Sequence, residues 1–245
     1  MQQAAGSTSS SKSAAGEPCK RILYKGHNPI SPSQRVGLTF ISAFSAFADP
    51  ERADMVAALG ETTGHRALKQ MHHRMLQDPD GIELLRERPQ LDEHSVDLEA
   101  LGQLPSGTFG KAYADFMAHN QFTPDSRLPV RFVDDADLAY VMARYRQVHD
   151  LWHVLSGLPP SLEGEIALKW FEMVQTGLPV AAISALVGAA RVPREGRAAL
   201  RQKLVPWAIR AGRRSVPLMN VWYERYWDMY LSNFREKLKF EPAPQ

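Results

Sequence analysis

Cysteine is all but missing from this sequence: Cys19 is the only one in 245 residues. A single thiol excludes an internal disulfide and any cysteine-rich zinc cluster, and it is consistent with a reducing compartment. Any bound metal is therefore held by nitrogen and oxygen. Net charge is equally scarce. With 29 Lys and Arg against 27 Asp and Glu, the formal balance of +2 gives no whole-protein argument for nucleic acid. No P-loop, GxGxxG or GxSxG elbow occurs, which leaves NTPase, dinucleotide-binding and serine-hydrolase chemistry without support. No segment repeats with a period in the usual solenoid range. An apolar leader of the secretory kind is also absent. The uncharged run from Met173 to Ala190 is interrupted by Gly177 and Pro179, which predicts two helices in a hairpin rather than a membrane span.

What is present is apolar residues at helical spacing. They make up 44% of the chain, enough for a sizeable core in one domain. The reading is all-α: a single-domain helical bundle of roughly eight to ten helices over residues 21–240, behind a disordered tail at residues 1–20. The tail is Ser-rich and acid-poor like a mitochondrial transit peptide, yet lacks arginine and an amphipathic face. A helix is predicted from Ser33, its apolar run too short to cross a bilayer. Asp49 with Pro50 should cap a second helix ending at Gly60, and a third should run from about His65 to Gln77. His72 and His73 there read as surface or structural. Asp78-Pro79-Asp80-Gly81 reads as a turn, with a short helix after it. Leu98, Leu101 and Leu104 suggest another short helix, and Phe109 to about His119 a longer one. Arg127 to Val133 reads as a brief extended segment before a helix capped by Asp137. The aromatic run from Pro217 to Leu238 reads as one last helix whose stripe is core or dimer contact.

Chemistry concentrates in Gln147 to Lys169. His149 and His153 are four apart on a predicted helix ending near Gly157, so both imidazoles leave one face, with Asp150 on the same arc. After Pro159-Pro160, Ser161 can cap a helix carrying Glu163 and Glu165 in its first turn. Two imidazoles and a carboxylate from a second helix suit one divalent cation, zinc or alternatively iron or manganese. The arrangement is similar to HExxH, but Asp150 at the second position has a shorter arm and weakens a protease reading. The structural alternative is that His149 pairs with a carboxylate and His153 with a backbone carbonyl. Local spacing does not choose between Glu163 and Glu165.

Two blocks in order make the sequence recognisable. The first is YKGHNP, Tyr24 to Pro29, followed by a helix and DPERADMVAALGETTG, Asp49 to Gly64. The second is HDxxH, eleven residues, then Glu: His149, Asp150, His153 and Glu165. Together they resemble the signature of the coenzyme Q (ubiquinone) biosynthesis protein 4 family, mitochondrial homologs. That resemblance implies Glu165 as the carboxylate ligand, with Asp150 as a fourth ligand or just outside the ligand shell. It implies a lyase that decarboxylates a 4-hydroxy-3-methoxy-5-polyprenylbenzoate at C1 to the corresponding 2-methoxy-6-polyprenylphenol, Asp150 or a neighbouring carboxylic acid giving the proton. Zn2+ is the implied cofactor, with Fe2+ or another divalent cation if decarboxylation is coupled to oxidation. The implied partners are a polyprenylated aromatic lipid and other ubiquinone-biosynthesis proteins in a complex. A homo-oligomer, peripheral on the matrix side of the mitochondrial inner membrane, is expected. The small residues from Leu178 to Ala190 would receive the tail. The eight basic residues from Arg191 to Arg214, against the single acid Glu195, would meet an acidic headgroup rather than nucleic acid, or else form a solvated face. Two alternatives remain: a non-catalytic lipid-binding scaffold with a structural ion, and a metal-dependent hydrolase.

Overall fold

The computed structural model describes residues 21–49, 52–124 and 128–244. The expected tail, together with Pro50, Glu51 and Arg127, lies outside the described residues. Among the described residues the fold is all-α, with one isolated antiparallel bridge between Thr108 and Tyr230. In order come α1 (Pro32–Ala48), α2 (Ala53–Thr63), α3 (His65–Met75), α4 (Pro79–Glu87), α5 (Leu98–Gly102) and α6 (Phe109–Asn120). Then follow α7 (Ala136–Ser156), α8 (Leu162–Thr176), α9 (Pro179–Arg191), α10 (Arg194–Ala199), α11 (Val205–Arg214) and α12 (Leu231–Lys237). One continuous core runs through them from Leu59 to Ala243.

The centre is α7, which buries 16 of its 21 residues. A helix buried on nearly every side must be wrapped by others, and α3, α6 and α8 pack against it. Its start is set by Asp135 rather than the expected Asp137. The Asp135 carboxylate accepts from the amides of Asp137 and Leu138, and Asp137 moves into the first turn, where it pairs with Arg88. At the other end Gly157 takes φ +74, a left-handed conformation glycine adopts without steric cost. Ser161 caps α8 as expected, accepting from the Gly164 amide. The predicted hairpin also forms: Gly177 at φ +71 ends α8 and Pro179 starts α9.

Three further expectations change, while the stretch before α7 stays non-helical as expected. Asp49 closes α1, donating its amide to the Ser45 carbonyl, and α2 continues through Gly60 to Thr63. Gly60 is needed inside the helix, since a Cβ there would stand 3.2 Å from a Val180 methyl of α9. Asp78 and Pro79 open α4 instead of making a separate turn, because a fixed φ and a side-chain acceptor also suit a helix start. The extended stretch at 128–133 has no strand partner among the described residues. Its amides at Arg131 and Phe132 are bound by the buried Glu61 carboxylate of α2, at 2.8 and 2.7 Å. The last aromatic segment is not one helix but two 3-10 turns, Leu218–Asn220 and Tyr223–Tyr226, followed by α12. Helical bonding is lost there because residues 227–231 bond the start of α6: Trp227 and Met229 carbonyls accept from Gly110 and Phe109, and Leu231 donates to Gly107. Met219, Tyr223 and Phe234 of the stripe are core, while Tyr230 is exposed. Beyond α10, a π-turn at Leu200–Leu204 precedes Pro206, which has no amide to give and whose ring crowds the carbonyl four residues back.

The C-terminal segment is pinned to α7 by charge. Arg144, 1% exposed, donates twice to Glu224, both bonds at 2.7 Å. Glu224→Ala should strand the guanidinium and cost about 3–5 kcal/mol. In denaturant titrations, the double change Arg144→Met, Glu224→Leu should recover most of that loss.

Candidate metal centre

The close of α7 and the first turn of α8 are brought together by the Gly157–Pro160 connection, whose brevity forces the two helices to approach at that end. His149 and His153 lie one helical turn apart, their rings 4.9 Å centre to centre. Glu165 comes from α8 to face both. His153 Nε2 lies 3.0 Å from Glu165 Oε1, and His149 Nε2 lies 3.5 Å from Oε2. One donor atom from each of the three residues falls within 4.8 Å of the others. A tetrahedral ion with bonds of about 2.0–2.1 Å would set its ligand atoms about 3.3 Å apart, and the two His–Glu spacings, 3.0 and 3.5 Å, bracket that value.

Both imidazoles are oriented from behind. His149 Nδ1 donates to Glu172 Oε1 at 2.6 Å, and His153 Nδ1 donates to the Leu158 carbonyl at 3.0 Å. With each Nδ1 committed as donor, each Nε2 is the atom turned towards Glu165, an arrangement that fixes the tautomer for coordination. The carboxylate and carbonyl contacts of the structural alternative are thus both present. They use the far ring nitrogens and leave the ligand nitrogens in place.

Glu172 has no solvent exposure, so its charge must be matched locally. It accepts from His149, from Lys169 Nζ at 2.8 Å and from the Tyr145 hydroxyl. Burial pushes its carboxyl up, but Lys169 and His149 outweigh that and hold it at about 2. Glu165 is likewise held well below the usual range: burial opposes, and the two histidines prevail. For His149, burial and the neighbouring Lys169 lower its affinity for a proton, while Glu172 and Glu165 raise it further and win. The pocket between the two carboxylates therefore favours a positive occupant, proton or cation.

Asp150 is buried in the same turn but is not one of the three residues whose donor atoms converge. Glu163, the other carboxylate of that first turn, lies towards Gly196 of α10 instead. Two residues on a helix are separated by about 200°, which turns Glu163 away once Glu165 faces α7. His72 is half-buried and His73 exposed, and the latter bonds Gln77. Sequence reasoning passed over Glu172, Lys169 and Tyr145. Glu165, Lys169 and Glu172 stand at i, i+4 and i+7 on α8, and a charged stripe on a helix with so many buried apolar residues is the signal that marks them.

Beside the centre lies a cavity of about 260 Å³. His149, Lys169, Tyr145 and Arg146 supply polar groups to its wall, and Met142, Gly60 and Val180 line it too. It extends along α2 to the exposed Ala53 and along α9 to Ser184. The small residues of α9 divide between two uses. Ala181 and Ser184 line the cavity, whereas Ala185 is fully buried and Gly188 packs so near Ile166 that a Cβ would meet its side chain at 2.7 Å.

A family profile, coenzyme Q (ubiquinone) biosynthesis protein Coq4, matches residues 24–244. The chain is 47% identical over 223 residues to the mitochondrial ubiquinone biosynthesis protein COQ4 homolog of Bos taurus, covering 91% of this chain and 84% of that one. It is 46% identical over 222 residues to the Homo sapiens homolog, with the same coverage of 91% and 84%. The crystal structure of a "putative ubiquinone biosynthesis protein" from Nostoc punctiforme PCC 73102 shares the fold with a TM-score of 0.67 at 23% identity, covering 85% of this chain and 98% of that one.

The donor geometry predicts that Glu165→Gln weakens Zn2+ binding severely and Glu163→Gln leaves it unchanged. Glu172→Gln should weaken it by about 10- to 100-fold through loss of imidazole orientation. Competition against a chromophoric chelator measures all three.

Proposed function

Because the chain belongs to the coenzyme Q (ubiquinone) biosynthesis protein Coq4 family and has its role in ubiquinone biosynthesis, we propose that it is the carboxy-lyase acting on a polyprenylated hydroxybenzoate. The substrate would be a 4-hydroxy-3-methoxy-5-polyprenylbenzoate and the product the matching 2-methoxy-6-polyprenylphenol. The setting would be a multisubunit complex of ubiquinone-biosynthesis proteins, containing this chain as a homo-oligomer, on the matrix side of the mitochondrial inner membrane. The relatives are named mitochondrial. What carries the reading is one juxtaposition: a His, His, Glu donor set bordering an apolar cavity through His149.

A divalent cation held by His149, His153 and Glu165, zinc or iron, would supply Lewis acidity towards oxygen atoms of the aromatic head. The chain's own residues do the rest. Met142, Val180 and Ala181 would give the head an apolar wall, where a carboxylate loses part of its hydration while neutral carbon dioxide is not penalised. Lys169 puts a cation on the cavity wall, its position fixed by Glu172. A proton is added at C1, from Asp150 or a neighbouring carboxylic acid in this proposal, as the 4-hydroxyl feeds electron density into the ring. The C1–carboxyl bond then breaks, its electron pair restores the aromatic ring, and carbon dioxide leaves. The donor recovers its proton from solvent, so one proton is consumed per turnover.

Glu165→Ala should fold normally, because that side chain is 37% exposed. In cells relying on the variant, the carboxylated prenyl precursor should accumulate and ubiquinone should fall at least tenfold, by lipid mass spectrometry. Asp150→Asn should accumulate the same precursor while keeping its metal. Normal ubiquinone with Glu165→Ala would sink the lyase reading and leave the lipid-binding scaffold.

A further inference from the structure

Two cations face the cavity beside the metal centre, and each is backed by a carboxylate buried behind it. Arg146 stands before Glu61, and Lys169 before Glu172. Among the described residues no acid lines the cavity itself. A ligand there meets positive groups first, while the balancing charge stays behind the wall.

The two cations are held differently. Arg146 is bound to the wall through both terminal nitrogens: one donates to the Leu128 carbonyl at 3.1 Å, the other to the Ala57 carbonyl at 3.0 Å and to Glu61 at 2.8 Å. Lys169 is bound once. An ammonium has three protons to donate, and Lys169 gives one to Glu172 at 2.8 Å. Its other near neighbour, His149 Nδ1 at 3.5 Å, is itself a donor to Glu172 and accepts nothing. Two N–H groups of Lys169 therefore have no acceptor among the described residues, on a side chain that is 24% exposed and lines the cavity. Their place is fixed, because Tyr145 and His149 of α7 hold the Glu172 carboxylate as well. Around them Val56, Met142, Val180 and Ala181 are apolar. An ammonium with unused protons in such a wall is matched by an anionic oxygen on the ligand.

We propose that Lys169 is the residue by which the cavity tells a carboxylated aromatic head from the same ring without its carboxylate, by donating to a carboxylate oxygen of the entering head. The inference rests on the carboxy-lyase reading above and names what separates substrate from product there. Both carry the same tail and the same methoxyl group, so their apolar contacts are alike. The contact to Lys169 exists in the bound acid and is lost when the C1–carboxyl bond breaks and neutral carbon dioxide departs. It therefore strengthens binding of the substrate rather than the chemical step. The product, a phenol with hydrogen at C1, leaves Lys169 without that acceptor and is displaced by the next acid.

Two truncated probes test this on the full chain loaded with Zn2+: vanillate, which is 4-hydroxy-3-methoxybenzoate, and guaiacol, the 2-methoxyphenol that remains without the carboxylate. In ligand-observed NMR titrations wild type should prefer vanillate by roughly 10- to 100-fold, as expected of one hydrogen bond to a charged group. Lys169→Met should bring the ratio near one with guaiacol affinity unchanged, and Lys169→Arg should restore most of the preference. Guaiacol binding checks that the cavity is formed. Should Lys169→Met lose it, Lys169→Gln, which can still donate to Glu172, should show the lost preference instead. Wild type that binds vanillate no better than guaiacol, or variants that keep the full preference, would overturn the proposal. So would a preference that survives Lys169→Met but vanishes when a chelator removes the Zn2+, since the carboxylate would then sit on the metal. A chain that prefers vanillate through Lys169, yet makes normal ubiquinone with Glu165→Ala, loses the lyase reading and keeps this one.

Discussion

A carboxylate sealed from water holds this structure's functional half together. Glu172 sits on α8 with no exposure, facing α7, and is tolerable there only because three groups from two helices answer its charge. Lys169 answers from one turn back on α8, and His149 and Tyr145 from α7. Remove any of them and a buried anion is left short of partners. The same contact that fixes the packing of the two helices also decides which nitrogen of His149 points at Glu165. Folding and site geometry therefore share a single interaction, and the centre is set before any ion arrives.

The pattern repeats along α7. Arg144 reaches Glu224 and draws in the C-terminal segment; Arg146 reaches Glu61 at 2.8 Å and also the Leu128 and Ala57 carbonyls. Glu61 in turn holds the amides of the 128–133 stretch. A central helix that is almost wholly buried thus carries ionic attachments to four separate parts of the chain, counting Asp137 with Arg88 and His149 with Glu172. Such pairs add little net stability against well-packed apolar side chains, but each tolerates only one register. That is what a cavity wall built from α2, α7, α8 and α9 requires.

What could be read from the sequence follows how local its cause is. Helix ends at Ser161, Gly157 and Gly177 are decided within a few residues, and the sequence states them. The pairing of His149 with His153 is likewise local, one turn on one helix. The last aromatic segment was opaque because its backbone bonds run to residues 107–110, more than a hundred positions away, and these overrode a good helical pattern. Asp135 displaced Asp137 as a cap for a smaller reason, since two aspartates within one turn differ only in backbone angle. Glu172 was missed for want of a partner in view: its 23-residue separation from His149 has meaning only once α7 and α8 are antiparallel neighbours. Competing accounts of the histidines could not be separated in sequence because each residue has two ring nitrogens, and the fold uses both.

The modest volume of the cavity has a consequence for selectivity. On the proposed reading it grips the aromatic ring and the nearest part of the chain attached to it, and contains no ruler for the remainder. Discrimination would end a few carbons from the ring. Organisms whose quinones differ in the number of isoprene units could then share this scaffold without retuning it, and any counting of units would fall to the enzyme that builds the chain.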